Sequence, residues 1–419
     1  MEINIKDGYK VTEVGVIPDD WEVKKLGELL KFKNGINADK KYYGEGIKFI
    51  NILEIIQKRY LFYQDIPGFV TIDSATIKSN LVQLGDILFN RTSETQEEVG
   101  LTSVYLDNKD VVFGGFVIRG RPINNLLDYF FSQYAFSSAI VRNQIIKRGQ
   151  GAIRANIGQS DLKEVCIPLP PLAEQKAIAH ALSDVDNLIT AIDQLITKKR
   201  NLKQGTMQEL LTGKKRLPGF SGKWEVKKLG DIANIQRGAS PRPIDSPIWY
   251  DITSSVGWVR ISDITASNGR ILEKTKDYLS QQGIAQSRFL PAGSLIMSIC
   301  ATVGIPVITN IDTCIHDGFV GFTKLNDIDK VFFYYKLKEL ENNFKSMGQT
   351  GSQNNLNTNL VKKYPIPLPP LPEQKAIAEI LTDIDKEIEA LEKKRDKYKT
   401  IKQGMMQELL TGKTRIIDN

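Results

Sequence analysis

The clearest pattern along the chain is a heptad. From Ile178, apolar residues return at Leu182, Val185, Ile189, Ile192 and Ile196 in alternating steps of four and three, with Leu202 further on. Such spacing predicts an α-helix with one apolar seam, as in a coiled coil. A second series has the same rhythm through Ile377, Leu381, Ile384, Ile388 and Leu391, followed by Tyr398, Ile401 and Met405. Arg395 takes the position that Ile196 holds in the first series. Charged residues such as Asp383, Asp385, Glu387, Glu389, Lys393 and Lys394 fill the other faces. Pro170-Pro171 and Pro369-Pro370 suit a first helical turn, where a missing N–H costs nothing, and Gly213 and Gly412 suit C-terminal caps. Each helix is expected to run about 40 residues, or ~60 Å. That exceeds the width of a ~150-residue domain, about 30–35 Å. An apolar stripe of this length has to be buried, and the other helix is the economical partner. The two helices are therefore expected to pack antiparallel about a pseudo-twofold axis.

The intervening stretches have a different texture. Short apolar runs at 86–89, 111–113 and 294–298 read as strands, and 128–135 and 330–336 read as helices. The expected fold class is α+β: two mixed α/β domains joined and separated by two long antiparallel coiled-coil helices. The expected boundaries are 1–170 and 216–365 for the domains, and 171–215 and 366–419 for the helical segments.

The chain also contains itself twice. Trp21-Glu-Val-Lys-Lys-Leu-Gly27 recurs as Trp224-Glu-Val-Lys-Lys-Leu-Gly230. Ile167-Pro-Leu-Pro-Pro-Leu-Ala-Glu-Gln-Lys-Ala-Ile-Ala179 recurs from Ile366 to Ala378 with Pro372 in place of Ala173. Met207-Gln-Glu-Leu-Leu-Thr-Gly-Lys214 recurs unchanged from Met406 to Lys413. A period of about 200 residues is too long for a solenoid and marks a domain-scale duplication. Between these blocks only an echo survives: 49–55 can be laid on 258–264, 85–88 on 293–296, Gly115-Phe116 on Gly318-Phe319, and Gly149-Gln150 on Gly348-Gln349. The scaffold is shared and the loops are not.

Composition narrows the function. The 419 residues are 41% hydrophobic and 25% charged, ordinary for a globular protein, and contain no apolar run long enough for a membrane span. Residues 1–15 lack the apolar stretch of a secretory leader, so a cytoplasmic location is expected. Three cysteines, Cys166, Cys300 and Cys314, and two histidines, His180 and His316, offer neither a disulfide framework nor a zinc site. The net charge of +7 is compatible with a polyanionic partner.

Catalytic motifs are missing. Thr411-Gly-Lys-Thr414 resembles the end of a phosphate-binding loop, but Gln407 stands where its first glycine belongs, and it follows a helix rather than a strand. Gly149-Gln-Gly151 does not extend to a dinucleotide fingerprint, and no Asn-Pro-Pro-Tyr or Asp-Pro-Pro-Tyr segment occurs. His316-Asp317 is a conceivable catalytic pair that, beside a glycine turn, reads as structural. No catalytic residue, metal site or cofactor is expected in this chain.

In its order of variable domain, shared helix, variable domain, shared helix, the chain resembles the specificity subunit of type I restriction-modification enzymes. The likeness covers essentially the whole chain. It rests on the lead-ins Gly15-Val-Ile-Pro-Asp-Asp-Trp21 and Leu217-Pro-Gly-Phe-Ser-Gly-Lys-Trp224 and on the duplicated Ile-Pro-Leu-Pro-Pro-Leu-x-Glu-Gln-Lys-Ala-Ile-Ala block. The resemblance implies a non-enzymatic DNA-reading subunit. Each variable segment would be a target recognition domain for one half of a split, asymmetric site on double-stranded DNA. The helices would set the spacer and dock two adenine-N6 methyltransferase subunits, through which motor-nuclease subunits join. S-adenosylmethionine, ATP and magnesium would belong to those partners.

Base reading needs Arg, Lys, Asn or Gln on projecting loops. In the first domain the candidates are Lys147, Arg148, Gln150, Arg154 and Asn156, with Arg91, Arg119 and Arg121. In the second they are Gln349, Gln353, Asn354 and Asn355, with Arg237, Arg242, Arg260 and Arg288. On the repeated helix ends, Gln208, Glu209, Gln407 and Glu408 are candidates for partner contact, and their leucine neighbours for packing. Two other readings are a specificity subunit whose catalytic partner is fused into one chain, and a coiled-coil adaptor with no DNA role. The adaptor reading leaves the divergent domains without a purpose.

Overall fold

The computed structural model describes residues 7–151, 154–266, 270–348 and 356–416. They form two compact units, one of residues 1–193 with 394–419, the other of residues 194–393. The predicted helices are Leu172–Leu210 and Leu371–Leu409, of 39 residues each. Each helix gives its N-terminal part to one unit and its C-terminal part to the other.

In the first unit a five-stranded sheet runs in the order Leu30–Asn34, Val117–Pro122, Ile87–Asn90, Thr102–Tyr105, Tyr60–Leu61. Its pairings are antiparallel except the last, which is parallel. A three-stranded sheet of Val111–Phe113, Tyr43–Ile50 and Phe69–Val70 stands beside it. The helix Tyr129–Ser137, capped by the Asp128 carboxylate on the N–H of Phe131, buries Phe131, Tyr134 and Phe136 in the main core.

The second unit repeats this plan with other residues. Its five-stranded sheet has the order Asn234–Arg237, Phe319–Thr323, Leu295–Ser298, Pro306–Thr309, Ile271–Leu272, again antiparallel except at the final pair. The helix Lys330–Glu339 is capped by Asp329 as its counterpart is by Asp128. Its second sheet has a fourth strand, Arg288–Leu290, beside Thr313–Ile315. Among the described residues of the first unit, the single bridge of Val82 to Val111 occupies that edge.

Within each unit the two helix segments run antiparallel. In the first, Asp186 pairs with Lys402 and Asp193 with Arg395, while Leu409 and Leu410 share a core with Ile178 and Leu182. In the second, Lys203 pairs with Asp385, Lys199 with Glu387 and Arg200 with Glu392, while Leu210 and Leu211 meet Ile377 and Leu381. Ile178, Leu182, Ile192, Ile196, Ile377, Leu381 and Ile388 are buried, and Val185, Ile189, Ile384 and Leu391 are half-buried. Leu202 and Ile401 lie off the seam, 53% and 39% exposed. The same alternating steps carry the seam onto Lys203 and Lys402, whose aliphatic stems cover it while their ammonium groups reach carboxylates.

The repeated motifs are the joints between helix and domain. Strand Cys166–Leu169 pairs with Glu22–Lys25, and Pro365–Leu368 with Glu225–Lys228. The next residues of the motif, Glu174 and Glu373, are buried at the helix start and accept the indole N–H of Trp21 (2.9 Å) and Trp224 (3.2 Å). Gln175 and Gln374 donate to the carbonyls of Pro170 and Pro369 and accept the N–H of Asp128 and Asp329. Gly213 and Gly412 hold positive φ after the helix ends. A Cβ on Gly412 would fall 2.4 Å from Pro18 Cδ.

Candidate nucleic-acid interface

In the first unit the backbone gathers one group of candidates. Arg91 follows the sheet strand Ile87–Asn90, and its N–H donates to the Phe116 carbonyl at 2.9 Å. Its guanidinium reaches the Gly115 carbonyl at 3.3 Å. Residue 157 donates to the Arg91 carbonyl, and the Thr92 hydroxyl donates to Asn156 Oδ1 at 2.6 Å. Gln150 and Asn156 exchange both backbone hydrogen bonds. Gly151 has φ 128°, and a Cβ there would lie 2.0 Å from the Arg154 carbonyl, so only glycine fits. Gln150, Arg154 and Asn156 are exposed, and Arg154 lies 3.9 Å from Glu94. Thr92 and the exposed Phe116 belong to the same surface, though neither residue type had marked it in the sequence.

Other first-domain candidates lie elsewhere. Arg119 is on the strand Val117–Pro122 rather than a loop, and it is buried. Its guanidinium donates to the Leu81 carbonyl at 2.5 Å beside Asp86, and burial lowers its pKa. Arg121 forms a two-point contact with the buried Asp86 at 2.8 and 2.7 Å. Both arginines are occupied inside the domain, so neither projects as expected. Lys147 and Arg148 end the helix Ala139–Arg148; Lys147 is exposed, and Arg148 donates to the carbonyls of Gln144 and Glu164.

The second unit places its arginines around the equivalent turn. Gly238 donates to the Phe319 carbonyl as Gly35 does to that of Val117, so residues 316–318 correspond to 114–116. This sets the Gly115 match at Asp317, one residue before the glycine that the bare sequence suggested. Asp317 organises the site: its carbonyl accepts from Arg237 Nε at 2.7 Å, and its carboxylate accepts from Ser240 Oγ at 2.9 Å and Arg242 Nη2 at 3.2 Å. Arg288, on the added strand, donates to the Arg237 carbonyl at 3.4 Å. Arg237, Arg242 and Arg288 are exposed. Arg260 reaches the Tyr250 hydroxyl at 2.9 Å and Asp277 at 3.3 Å. His316 Nδ1 accepts the Gly318 N–H at 2.9 Å, and burial lowers its pKa despite Asp317 beside it. The pair is thus committed to shaping the turn. Gln349, Gln353, Asn354 and Asn355 lie outside the described residues.

On the helix ends, Gln208, Glu209, Gln407 and Glu408 are exposed, while Leu210, Leu211, Leu409 and Leu410 are buried. Glu209 lies 3.6 Å from Lys215, and Glu408 accepts from Thr414 at 3.2 Å. Among the described residues no group of three or more His, Cys, Asp or Glu side chains could hold a metal ion, and no helix is long and apolar enough to cross a membrane.

Comparison with known proteins gives the family. Residues 18–202 and 221–400 each match the family model of the type I restriction modification DNA specificity domain. A putative type I restriction enzyme specificity subunit, MjaX, of Methanocaldococcus jannaschii is 29% identical over 98% of this chain and 97% of its own length. The fold is also that of the type I restriction-modification S subunit of M. genitalium, with a TM-score of 0.56 at 18% identity over 97% of this chain and 98% of the other. A chain from a structure of the assembly and conformational transition of the type I R-M system gives a TM-score of 0.61 at 18% identity, covering 95% of this chain and 99% of its own. With two matched domains, two long helices and two internal copies of one plan, the chain belongs to the type I restriction-modification DNA specificity family, as a specificity subunit rather than a catalytic one.

Proposed function

We propose that each unit reads one half of a split, asymmetric DNA site, and that the two long helices set the distance between the halves. One observation carries this reading. Both units gather basic and amide side chains at the same turn of the same sheet plan, the half-buried Arg91 with the exposed Gln150, Arg154 and Asn156 in one and the exposed Arg237, Arg242 and Arg288 in the other. Arginine and amide side chains are the groups that recognise base edges and phosphates. Because the two sets differ, the two half-sites differ. The helices also dock two adenine-N6 methyltransferase subunits, with Gln208, Glu209, Gln407 and Glu408 as exposed candidates, and motor-nuclease subunits join through these. S-adenosylmethionine, ATP and magnesium act in those partners, in the cytoplasm.

The test is a genome-wide map of N6-methyladenine in cells with and without this gene. Loss of methylation at one motif of two short half-sites is the expected result. With the gene and its adjacent methyltransferase both expressed, an unchanged map would remove the DNA-reading role.

A further inference from the structure

The heads of the two units share little sequence, yet one polar network occurs in both. In the first unit Asp186, on the first long helix, accepts from three groups. Arg59 Nη1 and the Tyr134 hydroxyl reach Oδ2 at 2.5 and 2.9 Å, and Lys402, on the second long helix, reaches Oδ1 at 2.5 Å. In the second unit Asp385 accepts from the Tyr335 hydroxyl at 2.6 Å and lies 2.6 Å from Lys203. There Arg270 donates to the Tyr335 hydroxyl at 3.0 Å and to Thr382 Oγ1, on the same helix as Asp385, at 2.8 Å. The arginine lies over the tyrosine ring in both units, 4.7 and 5.7 Å from its centroid, and the lysine lies over it at 5.7 and 5.5 Å.

The positions correspond element by element. Tyr134 and Tyr335 lie on the helices capped by Asp128 and Asp329. Arg59 and Arg270 directly precede the parallel edge strands Tyr60–Leu61 and Ile271–Leu272, and their carbonyls accept from Val104 and Ile308. Each network thus joins four elements: an edge strand and a helix of the head, and one residue from each helix of the pair. Ion pairs with partial exposure add little to stability. Hydrogen bonds are directional, however, and a tyrosine hydroxyl of the head donating to a helix carboxylate that also pairs with a lysine of the other helix fixes an angle that apolar contact leaves soft.

We infer that this Arg–Tyr–Asp–Lys network is a positioning device that fixes the angle of each DNA-reading head on its helix pair and so restricts the half-site spacings that the protein accepts. The inference rests on the proposed reading, in which the helices set that spacing. Its residues touch no base.

The experiment uses the full chain expressed with its methyltransferase. Tyr134→Phe and Tyr335→Phe, singly and together, keep the packed rings and remove only the hydroxyls. In the N6-methyladenine map both half-site sequences stay the same. Methylation of half-site pairs one base pair too close or too far rises by about tenfold in each single variant, the effect of losing one hydrogen bond to a charged group, and further in the double variant, which loses one in each unit. Half-sites intact and still confined to the original spacing would overturn the inference. If the double variant gives no methylation, the single variants and Asp186→Asn decide by the same two outcomes. Failure of the underlying reading is separate, since the unsubstituted chain would then show no split motif.

Discussion

Arg415 meets Glu174 side by side: its Nε and Nη2 donate to the two carboxylate oxygens at 2.6 and 2.8 Å. Glu174 is buried, and its Oε2 also takes the Trp21 indole N–H. Arg216 makes the same two-point contact with Glu373 in the second unit, at 2.6 and 2.7 Å. A carboxylate from the Pro-Pro-Leu-x-Glu-Gln motif thereby fastens a helix start, a tryptophan lead-in and the arginine beyond a helix end.

Glu174→Ala leaves both Trp21 and Arg415 without this acceptor. The expected cost to the first unit is about 3 kcal/mol, since the groups left behind are partly or wholly withdrawn from water. Hydrogen exchange should show faster opening of amides in the core around Leu26 and Ile178. Unchanged exchange there would refute the joint.

Acid should act on the same joint. The Arg415 hydrogen bond holds the Asp20 carboxyl below its ordinary value of 3.8. A folded-state pKa below the unfolded one stabilises the fold above that ordinary value, and the contribution disappears as pH falls through the lower one. The first unit should therefore unfold at lower urea concentration as pH drops below about 4. In Asp20→Asn the decline should be shallower, and equal slopes would exclude this pair as a source.

Two arginine environments should separate stability from binding. Asp86→Ala strands the buried Arg119 and should cost about 3 kcal/mol while the half-site motif is unchanged. Arg242→Gln, at an exposed side chain, should leave stability alone, weaken DNA binding and reduce the slope of log affinity against log salt by about one. Titrations by fluorescence anisotropy at several salt concentrations, on the mapped motif, distinguish the two.

Shortening the helices should change distance and not identity. Four residues removed from 183–195, with four removed opposite them around Arg395, take out about one turn, ~6 Å. At roughly 3.4 Å per base pair that shortens the spacer by about two base pairs. Unchanged spacing with both half-sites intact would sink the spacer role.

The helices were legible in the sequence because their seam repeats locally, and the joints because their residues are identical in both halves. The seam misleads at Leu202 and Ile401, where apolar residues step off the heptad and lysines stay on it. The heads were legible only as scattered strands. Their sheets pair residues far apart in the chain, as Arg237 with Val320, and no local pattern encodes such partners. Residue type also misjudged Arg119 and Arg121, since nothing local announces that Asp86 is buried beside them. The gathering of Arg237 and Arg242 was hidden for the same reason: Asp317 lies 80 and 75 residues away from them.

The first unit is sewn from two separated pieces of chain. Its core takes in Leu409 and Leu410, the Tyr9 hydroxyl donates to the Gly412 carbonyl at 2.9 Å, and Arg415 grips Asp20. The second unit is one unbroken stretch. During synthesis the order of completion is therefore the reverse of the order of the genes' codons: the later-encoded unit has all its parts while the earlier one still waits for its final strap. A premature stop codon near residue 400 would damage the half of the protein that the ribosome made first.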